Sequence, residues 1–266
     1  MAYDHGYGKD WTDVLVYRRE GYTTSVADYH RHAYFEVNLI FSGNIHILLP
    51  DGSMETTESH IVLMPPGAPH YIACKPDTLY SRQYLSFSQA FLEPFGAHWQ
   101  GLRQVFGNHG RIVKVNDAQK ALCGRLMDGI LQERDSLRKS LLILYLLSQI
   151  HSFHTGGAAP ARPAPAYVTE ALSYIGRNYA QKILAADLAR MLHVGRTTLM
   201  TAFRQYTGSS LNHYIVRYRL KQAQRLLEEG ATVQQTAEAC GFGDAGSLIR
   251  LFKQVHHTTP GKFARQ

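Results

Sequence analysis

Four residues in the first third of the chain have the types and spacing to hold a metal ion or grip a small polar ligand. His30 and His32 stand two apart, Glu36 follows, and His70 comes after a Pro65-Pro66-Gly67 turn. Three imidazoles and a carboxylate suit a divalent transition metal such as Zn, Ni, Mn or Fe. The same side chains can instead hydrogen-bond an organic effector in a metal-free pocket, or form a polar cluster that binds nothing. The residue types leave these three readings open. A catalytic metal is a fourth, because three or four protein ligands can leave a coordination position free.

The elements around these residues must bring them together. Alternate residues of a strand share a face, so His30, His32 and Glu36 are expected to point inward from one strand, with His70 beside them on the next hairpin. Short apolar runs at 35–41, 45–49, 61–64 and 80–87 are separated by Ser42-Gly43-Asn44, Pro50-Asp51-Gly52 and Pro65-Pro66-Gly67. That rhythm predicts a small antiparallel barrel or sandwich. Near Asn116 the period changes. Leu122, Leu126, Ile130 and Leu131 recur at helical spacing, and a second helix carries Leu137, Leu141, Leu144, Tyr145 and Ser148 along one stripe. Its run LLILYLLSQI is apolar almost all round, so burial on more than one side is expected, against the barrel or against a second copy. Barrel and ligand set together resemble the cupin double motif. Thr24 and Ser59 stand where cupins often have Gly, and Cys74 where Asn is frequent.

Beyond the barrel the chain changes character. Residues 155–166, TGGAAPARPAPA, cannot bury a core and read as an interdomain linker. Charge is divided unevenly across it. Residues 1–166 hold 15 Lys+Arg and 15 Asp+Glu, whereas residues 167–266 hold 13 and 6, so the whole net charge of +7 (13 − 6) sits in the last hundred residues. Clustered positive charge points to a polyanion such as nucleic acid, or to a solvated basic surface. Cys74, Cys123 and Cys240 are odd in number and far apart, which fits a reducing compartment and excludes a disulfide framework or zinc spacing. MAYDHGYGKDW shows no signal-peptide pattern, and the longest apolar stretch, 141–147, is too short to span a bilayer. A cytoplasmic protein with no membrane partner is expected.

The last hundred residues repeat themselves. From Ala189, residues Leu192, Val194, Leu199 and Phe203 follow at +3, +5, +10 and +14. From Ala237, residues Cys240, Phe242, Leu248 and Phe252 follow at +3, +5, +11 and +15. The spacing describes a short helix, a tight turn, and a second helix that buries one face: Leu199, Ala202 and Phe203 in the first unit, Leu248, Leu251 and Phe252 in the second. The opposite faces, with Arg196, Thr197, Met200, Thr201 and Arg204 in the first and Ala245, Gly246, Ile249, Arg250 and Lys253 in the second, are those a helix-turn-helix presents to the major groove. Thr232 with Gln235 forms a capping-box pattern, Asp244 is placed to cap the second recognition helix, and Pro260 follows Thr259 at a helix first turn. Residues 211–227 read as one long helix between the units, with Tyr214, Tyr218, Ala223 and Leu226 among its apolar positions.

LARMLHVGRTTLMTAF, RYRLKQAQRLL, ACGFGDAGSLIRLFK and TTPGKF carry a family resemblance. The chain resembles AraC/XylS-type transcription regulators across about its last hundred residues. The resemblance implies a seven-helix domain with two helix-turn-helix subdomains. It places Arg196, Thr197, Met200 and Thr201, then Ala245, Gly246, Ser247, Ile249 and Arg250, against bases. Arg204, Arg217, Arg219, Lys221 and Lys253 are phosphate candidates. Four positions depart from the pattern: His193 and His257 for Gly, Gly195 for a Ser cap, and Thr236 for Ile. Barrels of the cupin type are common as the sensory half of such regulators.

The expected architecture is therefore multidomain α+β. A cupin-like effector-binding barrel over 1–115 leads into a helical segment over 116–154 that packs on the barrel or pairs two copies, the linker 155–166 and an all-α DNA-binding domain over 167–266, with units near 184–205 and 232–255. The expected function is sequence-specific, effector-controlled transcription regulation, activation included, without enzymatic activity. The implied partners are operator DNA in the bacterial nucleoid, a small-molecule effector, RNA polymerase and a second copy. The rival is a cupin-type metalloenzyme fused to a DNA-binding domain.

Overall fold

The computed structural model describes residues 14–22, 29–50, 52–74, 78–153 and 164–264. Most of the linker at 155–166, the N-terminal segment and Thr24 lie outside the described residues. The chain divides into two compact units, one made mainly of the described residues before 154 and the other mainly of those from 164 on.

Among the described residues eight strands form two sheets. One has the order β1 (Val14–Tyr22), β7 (Leu79–Phe87), β2 (Phe35–Ser42), β5 (His60–Met64) and β8 (Arg111–Lys114). The other has the order β4 (Gly52–Thr56), β3 (Ile45–Leu49) and β6 (Tyr71–Cys74). Every pairing of the larger sheet is antiparallel, as the alternating turns require. Two short helices, α1 (Gln89–Leu92) and α2 (Gly96–Leu102), precede β8, and α3 (Asp117–Gln132) and α4 (Ser136–Phe153) follow it. Asn116 starts α3 through a reciprocal capping box with Gln119.

Period-two alternation gives the central strands two different faces. Phe35, Val37 and Leu39 of β2 and Leu85 and Phe87 of β7 pack with Met127, Ile130, Ile143, Leu146 and Ile150 in one apolar core with α3 and α4. Glu36 and Asn38 of β2 and Tyr84 of β7 take the opposite face, with Asn38 paired to Tyr84 and Tyr84 paired to Tyr17 of β1. That face is polar but shielded: Glu36 and Asn38 are buried.

Helix α4 meets the strands with one side only. Of the apolar stripe, Leu137, Leu141 and Tyr145 are 61%, 50% and 50% exposed, and Ser148 is exposed too. The buried face runs through Ser140, Ile143, Leu146, Leu147 and Ile150. In a segment apolar on all sides, spacing alone does not say which stripe meets the core.

The second unit is helical: α5 (Ala166–Asn178), α6 (Ala185–Met191), α7 (Arg196–Thr207), α8 (Leu211–Glu228), α9 (Val233–Ala239), α10 (Ala245–His256) and α11 (Pro260–Phe263). Among the described residues these match the seven helices that the family resemblance implies. Leu199, Ala202 and Phe203 are buried in α7, and Leu248 and Phe252 in α10. The long α8 serves both halves. Its Leu220, Ala223 and Leu227 share a core with Ala237, Cys240, Leu248 and Phe252, while α7 packs against it from the other side of the repeat.

Candidate functional site

Two sites emerge, one in each unit. In the second, α6–turn–α7 and α9–turn–α10 are superimposable in their local chemistry. Val194 N donates to Ala189 O at 3.0 Å, and Phe242 N donates to Ala237 O at 2.9 Å. His193 and Gly241, one residue earlier, both have left-handed backbones, with φ of 54° and 72°. Both second helices are twelve residues long and end on a left-handed cap, Gly208 and His257. Their outward faces are open. Arg196, Thr197, Met200, Thr201 and Arg204 are exposed on α7, and Gly246, Ile249, Arg250 and Lys253 on α10. Ala245 is partly covered. Ser247 is also partly covered and its hydroxyl donates to Asp244 Oδ2 at 3.0 Å, so it serves the helix cap before it can serve a base.

Two of the phosphate candidates are corrected. Arg217 is buried, on the inner side of α8 with Tyr214 and Gln224. Arg219 spends its guanidinium on main-chain carbonyls, Nε donating to Tyr179 O and Nη2 to Gln181 O, both at 2.7 Å. Arg219 thus fastens α8 to the end of α5 and to the segment after it. Lys221 is partly covered, and Arg204 and Lys253 remain the exposed cations. Nothing in single residue types separates an arginine that ties helices together from one that meets a phosphate; only its place on the helix does.

The site in the first unit is the histidine cluster. His30, His32 and Glu36 do not lie on one strand as expected. The chain bends through 31–34, and only Glu36 belongs to β2. His30 is brought in by a two-way backbone bridge to His70, His30 N to His70 O at 3.0 Å and His70 N to His30 O at 2.8 Å. All four residues nevertheless converge. One ring nitrogen from each of His30, His32 and His70 lies within 4.8 Å of the other two. His32 Nε2 is 2.9 Å from Glu36 Oε2, and His70 Nε2 is 3.9 Å from Glu36 Oε1. The side chains of His32, His70 and Glu36 are 3%, 1% and 6% exposed.

Glu36 is held in place by neutral donors. Asn38 Nδ2 donates to Oε1, and Tyr84 Oη donates to Oε2 at 3.1 Å. Burial alone would push its carboxyl up. The hydrogen bond with His32 and the fields of His70, His32 and His30 outweigh that and hold it far below the usual carboxylate range. Burial pulls the His70 imidazole below its ordinary value, with Glu36 opposing.

Sequence reasoning missed the next group along. Arg82 Nη1 donates to Asn38 Oδ1 at 3.1 Å and Nη2 to Tyr17 Oη at 2.9 Å. The guanidinium carbon sits 5.6–5.8 Å from the ring centres of Tyr17, Tyr80 and Tyr84. Its Nε–H is sealed from solvent and has no acceptor. The signal was available: a charged residue at an even position in β7, in step with Tyr80 and Tyr84, must share their face. Elsewhere in this unit a cleft of about 700 Å³ is lined by Arg103, Arg111, Gln100, Gln104 and Asn108 among others. It is distinct from the histidine cluster.

A family model for an AraC-like ligand binding domain matches residues 14–147, and one for a helix-turn-helix domain matches residues 188–266. The HTH-type transcriptional activator RhaS of Pectobacterium atrosepticum is 28% identical over 69% of this chain, and the chain spans 65% of that relative's length. The Msm operon regulatory protein of Streptococcus mutans is 20% identical over 87% of this chain and 84% of its own. Among solved structures, ToxT from Vibrio cholerae O395 aligns over 95% of this chain and 96% of its own with a TM-score of 0.42 and 14% identity. Among the described residues, no helix is long and apolar enough to cross a membrane.

Proposed function

The chain belongs to the AraC family, and from that premise we propose that it is a cytoplasmic transcription regulator that binds operator DNA through α7 and α10 and is controlled by an effector in its strand-rich unit. The observation that carries the DNA half is the doubled geometry: two twelve-residue helices, each buried along one face and open along the other, tied to a shared α8. For both to enter one face of a duplex they must reach grooves about one helical turn, ~34 Å, apart. Direct readout falls mainly to α7, whose open face offers Arg196, Thr197 and Thr201 as hydrogen-bonding groups. On α10 only Arg250 does so freely, beside Ile249 and Gly246. Arg204 and Lys253 add affinity without sequence preference.

Arg82 supports the effector half. A guanidinium stays charged in a protein, and this one is enclosed by three tyrosine rings with one donor unsatisfied. An acceptor-bearing small molecule would complete it. Effector binding then biases how the C-terminal units meet DNA, and a coupling of ~1–3 kcal/mol suffices to change occupancy several-fold. The open apolar face of α4, with Leu137, Leu141 and Tyr145, is the surface on which a second copy would pair. Contact with RNA polymerase follows from the activating role, and no turnover of the effector is involved.

The test is selection of binding sites from random duplex DNA by the full-length protein, followed by affinity measurements against salt. A recurring pair of half-sites about one turn apart is the expected result. Lys253→Ala should lower the slope of log K against log salt by about 0.9. Failure to enrich any duplex at low ionic strength would overturn the reading.

A further inference from the structure

We infer that Met200 and Ile249 read the 5-methyl groups of two thymines, one in each half-site of the operator. This deepens the proposed role of α7 and α10 as the DNA-contacting helices, on which it rests. The two helices share one register. Both are twelve residues long and both end on a left-handed cap, so they align from Arg196 and Ala245 onward without a gap. In that alignment the buried residues coincide, Leu199 with Leu248 and Phe203 with Phe252. The outward residues can therefore be compared place by place.

Most of the outward places differ. Arg196 corresponds to Ala245, Thr197 to Gly246 and Thr201 to Arg250. Two places agree in chemistry. Arg204 corresponds to Lys253, an exposed cation in both helices. Met200 corresponds to Ile249, a large apolar side chain in both, 37% and 39% exposed. A single exposed apolar residue on a protein surface means little. The same exposure at the same place on both helices is a different observation, because the core does not ask for it. Each of these side chains directly follows its helix's buried leucine and so points about 100° away from it. Isoleucine is also a poor choice for an exposed helix position, since its branched β-carbon loses χ1 freedom there.

The paired cations indicate what the apolar side chains would meet. A lysine or arginine one turn further along each helix draws that helix onto a phosphate without choosing a sequence. On the major-groove edge of a base pair the one apolar substituent is the C5 methyl of thymine. A methionine or isoleucine facing that edge gains by covering the methyl, and covers a donor or acceptor without pairing it anywhere else. The helices then share a thymine and differ in what they read beside it. On α7 the neighbours are Arg196, Thr197 and Thr201, and on α10 the hydrogen-bonding neighbour is Arg250. The half-sites should be unlike in sequence apart from one thymine each.

The experiment uses the full-length protein and the strongest duplex it selects from random DNA. Each thymine is replaced in turn by deoxyuridine, which removes the methyl and nothing else, and affinity is measured at one salt concentration. One position in each half-site should lose about 4-fold, the worth of one buried methyl group. The two replacements together should lose about 15-fold, since sites so far apart add. On Ile249→Ala the loss at one of these positions should vanish while the other stays, and on Met200→Ala the pattern should reverse. A folding defect would lower affinity for all duplexes alike and leave both deoxyuridine effects in place, so readout is separated from a structural role. Selected duplexes without a thymine in both half-sites overturn the inference. So do deoxyuridine duplexes that bind as well as thymine ones, a methyl effect in one half-site alone, or discrimination that survives both alanine variants. None of these outcomes touches the regulator reading, which falls if no duplex is enriched at all and takes this inference with it.

Discussion

The two helix-turn-helix units repeat one backbone but solve its local problems differently. Each needs two left-handed residues, one in the turn and one after the recognition helix. The first unit places His193 in the turn and Gly208 at the cap; the second places Gly241 in the turn and His257 at the cap. Each half therefore carries one glycine and one strained histidine. The helix starts differ too. Asp244 caps α10, accepting from Ser247 N at 2.7 Å, and Thr232 with Gln235 makes a capping box on α9. The first unit has neither, since Leu184 and Gly195 precede α6 and α7 without a side-chain cap. The second unit is the better-capped helix pair, and the first has more exposed hydrogen-bonding side chains on its second helix. Caps and exposed polar side chains are distributed unequally over one repeated frame.

Gly241 is where that comparison breaks most sharply. A Cβ there would lie 2.2 Å from Ala180 O, a backbone atom with little freedom to retreat, and would also sit at positive φ. Gly241→Ala should lose about 3 kcal/mol or more of unfolding free energy, combining overpacking with left-handed strain. Urea denaturation of the full chain would measure it. His193 already tolerates a side chain at the equivalent place, so equal behaviour of Gly241→Ala and His193→Ala would end the claim that the two turns are packed differently.

Recognition should break the other way. On a site selected from random DNA, Arg196→Ala is expected to weaken binding by ~1–3 kcal/mol and to relax preference at one position, while Arg250→Ala costs less. Competition against random duplex separates the two effects. Equal losses from Arg196→Ala and Arg250→Ala would show that the units read DNA evenly.

How much of this was legible beforehand follows the same division. The repeat could be read because helix-turn-helix spacing fixes packing and exposure together, so Ala189, Leu199 and Phe203 and their counterparts could hardly lie elsewhere. The caps at Thr232 and Asp244 and the start at Pro260 were legible because capping is local chemistry. What failed was non-local. His30 reaches its partners through a backbone bridge to a residue forty positions away and not by strand alternation. Which face of α4 meets the strands was not legible because a helix apolar on all sides gives no phase. Arg217 and Arg219 were read by residue type as phosphate candidates, whereas position on α8 buries one and ties down the other. Arg82 was overlooked because a cation in a strand that faces its own interior runs against the ordinary rule for charge.

A gentler prediction sharpens the contrast between the two left-handed histidines and their glycine equivalents. His193→Gly and His257→Gly should each raise unfolding free energy, by up to about 1 kcal/mol, because relief of left-handed strain exceeds the entropy that glycine adds to the unfolded chain. Thermal melts at one pH would register it as a rise of a few degrees. A fall in either variant would mean that the histidine side chain makes a contact worth more than its strain.

The smallest expected effect concerns the cap that only the second unit has. Hydrogen bonds from Ser247 N and its hydroxyl hold the Asp244 carboxyl below its ordinary range. A carboxyl whose folded pKa lies below its unfolded one adds stability that is complete above the unfolded value and disappears as pH falls through the folded one. The contribution should thus be intact at pH 6, begin to decline near pH ~4, and be gone once Asp244 is protonated in both states. Asp244→Asn keeps a side-chain acceptor for the cap but removes the charge, so its stability should lie slightly below wild type at pH 6 and converge on it as pH drops. Gly195→Asp tests the reverse in the first unit. Given the same cap, α7 should gain a pH-dependent increment of the same sign. A constant gap between wild type and Asp244→Asn from pH 6 to pH 3 would mean that the cap acts through hydrogen-bond geometry alone. The units would then differ in shape at that helix start, and not in charge.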